Sequence, residues 1–441
     1  MHITFIQPSV GRKADGSPYP SSWVMEPLSI AMLSALTPPE HRRTFCDERL
    51  EPVPYDQHTD LVCISVETYT ARRSYQIAAR YRERGVKVVL GGFHPTLVPD
   101  EAEAHADAIV VGEAEGCWTT LLDDMAAGRP KPRYMSDERP RLAGLVADRS
   151  IFGEHRYGRV SLVETSRGCG FACEFCSISA FFERSCTERP VEEVIEEIKT
   201  LKGVIFFVDD NIGVDPARLR ALCEALIPLR RKWIGQVSIH VARDPELLAL
   251  MQRSGCEGVL VGFESLDPDT LRSMGKSVNA GARDYAHAIG AFRRHGMAIY
   301  ATFVFGYDNE SEETFRRALA FAEEHRFFFA AFNHLVPFPG TPLYRRLKDE
   351  GRLLLDPWWL SPDAGFGQVV YQPSSMSPGE LTRLCERYRH RFYRSSSIAR
   401  RALDWRANAN SPTKLALFLG YNLWSDRQIT LRQDLPFGIA T

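Results

Sequence analysis

The chain has no apolar run approaching the roughly 18 residues that cross a bilayer, so no transmembrane segment is expected. It opens on Met1-His2-Ile3-Thr4-Phe5-Ile6, the pattern of a short strand and not of a signal peptide. The formal net charge is only −2, and no basic surplus argues for a nucleic-acid partner. Most of its cysteines are badly placed for a disulfide framework. Cys46, Cys63, Cys117, Cys186, Cys223, Cys256 and Cys385 are scattered, several in apolar runs, and read as buried thiols. No second C-x2-C pair and no nearby His-x3–5-His stands ready to complete a four-ligand zinc site. These absences together point to a reducing, cytoplasmic setting.

What is present suits ordinary globular domains. Apolar residues make up 44% of the 441 and charged ones 25%, enough for two or three separate cores. Residues 1–140 alternate expected strands at 2–7, 43–46, 61–66, 86–91 and 108–111 with helices at 26–36, 71–84 and 115–127. This alternation predicts an α/β domain with a doubly wound parallel sheet. Ligands of such sheets bind beyond the strand C-termini. Those ends carry Thr68 and Thr70, then Gly91, Gly92 and His94, then Gly112 and Glu113. The Pro- and Arg-rich stretch 128–140 reads as a linker.

Strand–helix units then repeat through a second domain at 141–345. The strands are expected at 160–165 (with Arg159 leading in), 203–208, 236–241, 258–263, 298–305 and 330–335. The helices are expected at 191–201, 216–230, 245–254, 282–294 and 312–325. Six such units suit a partial (β/α)6 barrel. Residues 346–441 read as a mainly helical, Arg-rich C-terminal region.

Ser166–Cys176, reading SRGCGFACEFC, is the most informative stretch. Cys169, Cys173 and Cys176 stand in C-x3-C-x2-C order. Three close thiols suit a zinc site, buried thiols, or three corners of a 4Fe-4S cluster. Such a cluster normally takes four cysteines, so a set of three leaves one iron open to another ligand. The motif follows an expected strand, at the rim where barrel enzymes keep their chemistry. With these residues the chain strongly resembles the radical S-adenosylmethionine (radical SAM) enzymes. The resemblance implies that S-adenosylmethionine chelates the open iron and is cleaved reductively to a 5′-deoxyadenosyl radical. Phe175 matches the aromatic of the family motif.

The resemblance also implies where S-adenosylmethionine sits. Asp209 and Asp210 follow the second barrel strand, where the family contacts the methionine amine, although the usual Gly-Gly-Glu form is absent. Gln236 and Ser238 lie on the third expected strand. Arg243 suits the methionine carboxylate as a bidentate partner, and Glu264, ending the fourth strand, suits the ribose hydroxyls. Gly306, ending the fifth, resembles the family's adenine contact, where a glycine lets the ligand come close.

The amino-terminal stretches 60–68, 90–96 and 110–115 resemble the cobalamin-binding domain found ahead of many radical SAM cores. Paired Gly91 and Gly92 admit the edge of a large flat ligand, and Thr68 and Thr70 can donate to a nucleotide tail. The Asp-x-His-x-x-Gly motif, whose histidine ligates cobalt, is absent. Cobalamin is therefore expected base-off, with His94 lining the corrin pocket. The implied function is a cobalamin-dependent methyltransferase acting on an unactivated carbon of a small-molecule or lipid-like substrate. An electron donor such as flavodoxin or ferredoxin is its expected partner. Two alternatives stand beside it: a radical SAM enzyme with non-methylating chemistry and no cobalamin, and a non-catalytic cofactor sensor.

Overall fold

The computed structural model describes residues 1–439 apart from 14, 20–23, 159, 277, 278 and 280–284; the side chains of 426–430 and 432 also fall outside the description. Arg159 and residues 282–284 of the helix expected at 282–294 therefore lie outside the described residues.

The amino-terminal sheet is built from β1 (His2–Gln7), β2 (Arg42–Asp47), β3 (Leu61–Ser65), β4 (Lys87–Gly91), β5 (Ala108–Val111) and β6 (Arg133–Met135). Its order is β2-β1-β3-β4-β5-β6, and every pairing is parallel. Val62, Cys63 and Ile64 of β3 and Val88, Val89 and Leu90 of β4 are all buried. Such runs, apolar on both faces, are what a parallel sheet covered by helices requires. The strand order reverses at β1, the kind of switch point that opens a crevice at the C-terminal edge. Residues 128–140, expected as a linker, contribute β6. Its three residues, bounded by proline and serine, are too short to show a period in the sequence.

β7 (Val160–Val163) leads into an antiparallel ribbon of β8 (Ser166–Gly168) and β9 (Cys186–Glu188). There follow β10 (Val204–Phe207), β11 (Trp233–Gln236), β12 (Cys256–Glu264), β13 (Ala298–Phe305) and β14 (Phe329–His334). The second sheet runs β14-β13-β12-β11-β10-β7 in strictly sequential parallel order, with β7 and β14 at its edges. This is the partial (β/α)6 barrel. Alternate residues such as Val261, Phe263, Phe303 and Phe332 enter the core beneath the helices.

The third barrel strand lies earlier than expected, at Trp233–Gln236. Beyond it, Ile239–Arg243 forms a short 3-10 helix. Val237, Ile239 and Val241 are buried alternately and so imitate a strand in the sequence. Gln236 accordingly ends β11, and Ser238 stands outside it.

Helices Pro378–Phe392, Ser395–Ala402 and Pro412–Arg432 close the chain. The first is tied to β14 by Arg389, whose Nε donates to the Phe332 carbonyl at 3.0 Å. The segment between barrel and tail is largely irregular and serves the amino-terminal sheet. Trp358, Trp359 and Phe437 complete a core with Ile64, Val88, Tyr75 and Ala78. Among the described residues, no helix is long and apolar enough to cross a membrane.

Candidate functional site

The three motif cysteines lie on a loop beyond β8. Cys173 is buried; Cys169 and Cys176 are partly so. Burial raises the Cys169 thiol and pushes Cys173 up to about 11, against the lowering influence of nearby Lys276. Thiols held neutral in this way become thiolates when an electrophilic metal takes the proton's place. The loop is fixed on several sides. The Glu174 N–H donates to the Met274 carbonyl, and the Leu343 N–H to the Glu174 carbonyl, both at 3.0 Å. Arg346 binds the Glu174 carboxylate at 2.9 Å. Gly275 has φ +72°, and a Cβ there would stand 2.6 Å from the Ala172 carbonyl oxygen, so only glycine allows this approach.

Asp209 is 2% exposed, and its carboxylate is fully engaged with the strand that carries the cysteines. Oδ1 accepts from the Thr165 hydroxyl at 2.7 Å and the Ser166 hydroxyl at 2.6 Å; Oδ2 accepts from the Thr165 N–H at 3.2 Å. This differs from the expected cofactor contact: Asp209 braces the backbone instead. Asp210 gives one oxygen to the Gly168 N–H at 2.9 Å, and burial raises its pKa to about 6. Gln236 donates to the Asp210 carbonyl at 2.7 Å, which fixes that turn.

Glu264 adopts a left-handed conformation, φ +61°, rare for a residue with a side chain and most common at functional turns. Its Oε1 lies 2.5 Å from Lys276 Nζ, and its Oε2 lies 3.5 Å from the Thr302 hydroxyl. Lys276 thereby sits between Glu264 and the cysteine loop. The sequence reading missed it because it belongs to no motif.

Among the remaining expected contacts, Phe175 packs on the barrel core. The Ser238 N–H donates to Asn211 Oδ1 at 3.3 Å. Arg243 is exposed at the end of its 3-10 helix. Gly306 has φ +115° and faces Tyr371, whose hydroxyl donates to the Gly306 carbonyl at 3.0 Å; an added Cβ would strike that hydroxyl. Its freedom is thus used for packing against Tyr371 and Leu381, and not for an adenine ring as expected.

A cavity of about 480 Å³ lies between the two sheets. The ends of β3, β4 and β5 supply Ser65, Gly91, Gly92 and Gly112; the helix Leu28–Leu36 supplies an apolar wall; Leu162 and Val208 close it from the barrel. Gly92 has φ +104°, and a Cβ there would lie 2.9 Å from the Val66 carbonyl oxygen. Gly112 has φ +80° and open space around its α-carbon. The Thr96 hydroxyl joins these two turns, donating to the Gly92 carbonyl and accepting from the Gly112 N–H, each at 2.8 Å.

Three expected residues do not line this cavity. The Thr70 hydroxyl bonds the Glu67 backbone at 3.0 Å, closing the 3-10 turn Thr68–Thr70. Thr68 lies 3.4 Å from His94 Nδ1. His94 is wholly buried, its Nε2 at 3.0 Å from Glu101 and its ring edge-on to Trp359. Their polar atoms satisfy the turn and the core beneath it, a stronger demand on buried groups than a cavity makes. Ser65, Glu67 and Phe93 take the lining positions instead. Phe93 meets Phe181 at 4.4 Å between ring centres, joining the glycine turn to the helix Ser177–Phe181 that follows the cluster cysteines.

Glu113 does line the cavity, within an ionic cluster. Arg167 Nη1 binds Glu113 at 3.0 Å and Glu115 at 2.6 Å, and its Nε binds Glu164 at 2.8 Å. Burial raises Glu164 to about 7 despite the guanidinium beside it.

The donor sets fit the groups expected of them. Among the described residues, no three His, Cys, Asp or Glu side chains converge closely enough to hold a single ion; a cluster, whose corner irons stand apart, demands less convergence. The cavity combines an apolar wall, glycine turns and acceptor-rich carboxylates, which suits a large amide-bearing macrocycle with a nucleotide tail.

The radical SAM superfamily model matches residues 163–322. The chain is 30% identical over 403 residues to the bacteriochlorophyllide d C-12(1)-methyltransferase of Chlorobaculum tepidum, covering 87% of each chain. It is 30% identical over 351 residues to the bacteriochlorophyllide d C-8(2)-methyltransferase of the same organism, covering 75% of this chain and 78% of the other. The fold is shared with a radical S-adenosylmethionine methyltransferase, TsrM from Kitasatospora setae, solved with cobalamin and a 4Fe-4S cluster bound. There the TM-score is 0.65 at 16% identity, covering 87% of this chain and 81% of that one. Fold and site define a radical SAM enzyme with a cobalamin-binding-type sheet ahead of its barrel. The chain belongs to the radical SAM superfamily, whose cofactors are a 4Fe-4S cluster and S-adenosylmethionine.

Proposed function

We propose that this chain is a cobalamin-dependent methyltransferase that alkylates an unactivated carbon of a flat, largely apolar small molecule of the bacteriochlorophyllide or lipid kind. The observation that carries the reading is the cavity at the glycine-turned ends of β3, β4 and β5, bounded on the barrel side by Arg167, just before the cluster loop, and by Phe181 and Phe182, just after it. When bound, the cluster and S-adenosylmethionine supply a radical and the corrinoid a transferable methyl group.

Cys169, Cys173 and Cys176 hold the cluster, and Asp209 and the Met274 and Glu174 backbone contacts keep their loop in place. Asp210 and Glu264 form the acidic rim for S-adenosylmethionine, with Gln236 fixing the Asp210 turn and Lys276 compensating Glu264. Gly91, Gly92 and Gly112 would admit the edge of a large flat corrinoid, beside the apolar wall of the helix Leu28–Leu36. His94, committed to Glu101, would not be available to it. Phe93, Phe181 and Phe182 exclude water between the two rims, and Arg139 caps the last ring at 4.9 Å. A small electron carrier such as flavodoxin or ferredoxin feeds the cluster.

The test is anaerobic reconstitution with iron, sulfide and hydroxocobalamin, followed by incubation with bacteriochlorophyllide d, S-adenosylmethionine and a low-potential reductant. A product heavier by one methyl group supports the proposal. Protein that retains no corrinoid, or a product formed without gain of methyl, overturns it.

A further inference from the structure

We infer that Arg167 is a positioning residue that couples occupancy of the amino-terminal cavity to the geometry of the cluster loop. The inference rests on the reading of that cavity as a corrinoid site. Arg167 belongs to β8, two positions before Cys169, and its guanidinium binds three carboxyl groups on two segments at once. Glu113 and Glu115 come from the loop after β5 in one sheet; Glu164 follows β7 in the other. All four side chains line the cavity. Side-chain exposure is 10% for Arg167, 8% for Glu113, 10% for Glu115 and 22% for Glu164, so solvent screens these pairs little.

Three carboxyl groups face Arg167, and Arg139 adds a second cation 3.6 Å from Glu113. A ligand rich in amide N–H groups would find acceptors on this wall. In binding there it would draw on the carboxylates that hold Arg167.

The strand behind Arg167 has no slack to absorb a shift. The Gly168 N–H is held by Asp210, and a Cβ on Gly168 would lie 2.1 Å from the Ser185 carbonyl oxygen. Ser166 is held by Asp209. A displacement of the guanidinium is therefore passed to the backbone that carries Cys169. By linkage, the cluster site must then alter affinity in the cavity by the same factor. Lysine would not replace arginine here, because one ammonium cannot reproduce a planar fork bonded on two edges.

The experiment uses full-length protein reconstituted with its cluster and S-adenosylmethionine, titrated with hydroxocobalamin under anaerobic conditions. The readouts are the electron paramagnetic resonance spectrum of the reduced cluster and the affinity for hydroxocobalamin with and without S-adenosylmethionine. In the wild type the cluster spectrum shifts on titration, and the affinity changes about tenfold between the two conditions. In Arg167→Gln the iron content is kept, while the spectrum no longer responds and the affinity ratio falls towards one. Arg167→Lys stays close to Arg167→Gln. Glu113→Gln and Glu115→Gln, remote from the cysteines, weaken the response and keep the inference testable should Arg167→Gln lose its cluster. An unchanged response in both glutamate variants, or in Arg167→Gln with cluster intact, overturns the coupling alone. Wild-type protein that retains no hydroxocobalamin overturns the corrinoid reading, and the coupling with it.

Discussion

The two strand-end rims use their polar residues in opposite ways. At the barrel rim, Asp209 turns inward onto Thr165 and Ser166 and braces the cluster loop, while Asp210 gives one oxygen to the Gly168 N–H. At the amino-terminal rim, Thr68, Thr70 and His94 turn away from the cavity, whose surface is made by glycine backbone, apolar side chains and the ionic group around Arg167. In each case polar residues at the strand ends serve the protein's own turns and buried groups first. A polar residue at a strand end is thus a ligand candidate only after the turn that holds it has been satisfied.

Four experiments test this contrast. Replacing Cys169, Cys173 and Cys176 together by Ala should abolish iron–sulfide absorbance and all cleavage of S-adenosylmethionine; cluster retained in that variant removes the barrel rim's role. Next in size, Asp209→Ala leaves two hydroxyls and one N–H of Thr165 and Ser166 without their acceptor. A loss of at least about 3 kcal/mol in stability is expected, and the iron content on reconstitution should fall. Asp210→Asn, in contrast, should keep the cluster and weaken S-adenosylmethionine binding roughly tenfold, as loss of one charged hydrogen bond does. Equal effects of the two variants would erase the distinction between brace and binder.

At the other rim, Gly92→Ala forces a Cβ against the Val66 carbonyl at positive φ and should cost about 1–3 kcal/mol. Gly112→Ala meets only the conformational penalty of about 1 kcal/mol, yet it places a methyl group in the cavity. Thermal melts alongside hydroxocobalamin retention should therefore show the larger stability loss for Gly92→Ala, and a loss of retention for Gly112→Ala beyond its small melting change. The smallest effect on ligand binding belongs to His94→Ala. It removes a buried partner of Glu101 and lowers the melting temperature, while hydroxocobalamin is retained with an unchanged base-off spectrum. A spectrum of histidine ligation in the wild type that disappears in His94→Ala would place His94 on the metal.

The sequence disclosed the architecture where long apolar runs alternate with helical patterns. The cluster loop was legible because its chemistry depends on spacing alone. What it hid follows from local physics. β6, at Arg133–Met135, is too short to show a period. The third barrel strand was displaced because the buried Val237, Ile239 and Val241 alternate without belonging to it. His94, Thr68 and Thr70 have the right chemistry at the right edge, and only the three-dimensional turn shows them committed elsewhere. Lys276 and Arg167 could be found only by proximity. Arg167 stands inside the cysteine motif itself, and its importance appears once the Gly112–Glu115 loop of the other sheet lies against it.

The return of the chain's last described residues to its first sheet has a consequence for the order of events during synthesis. Gly438 donates to the Val10 carbonyl at 2.8 Å, the Arg12 N–H donates to the Gly438 carbonyl at 3.3 Å, and Phe437 fills a place beside Tyr69 and Trp358. The amino-terminal sheet therefore waits for residues synthesised long after it. Contacts closing so long a loop form late and slow folding, and domains that emerge early stay open to wrong partners until they close. The newborn amino-terminal half should thus remain sensitive to proteases until Trp358, Trp359 and Phe437 have emerged, then become resistant in a single step.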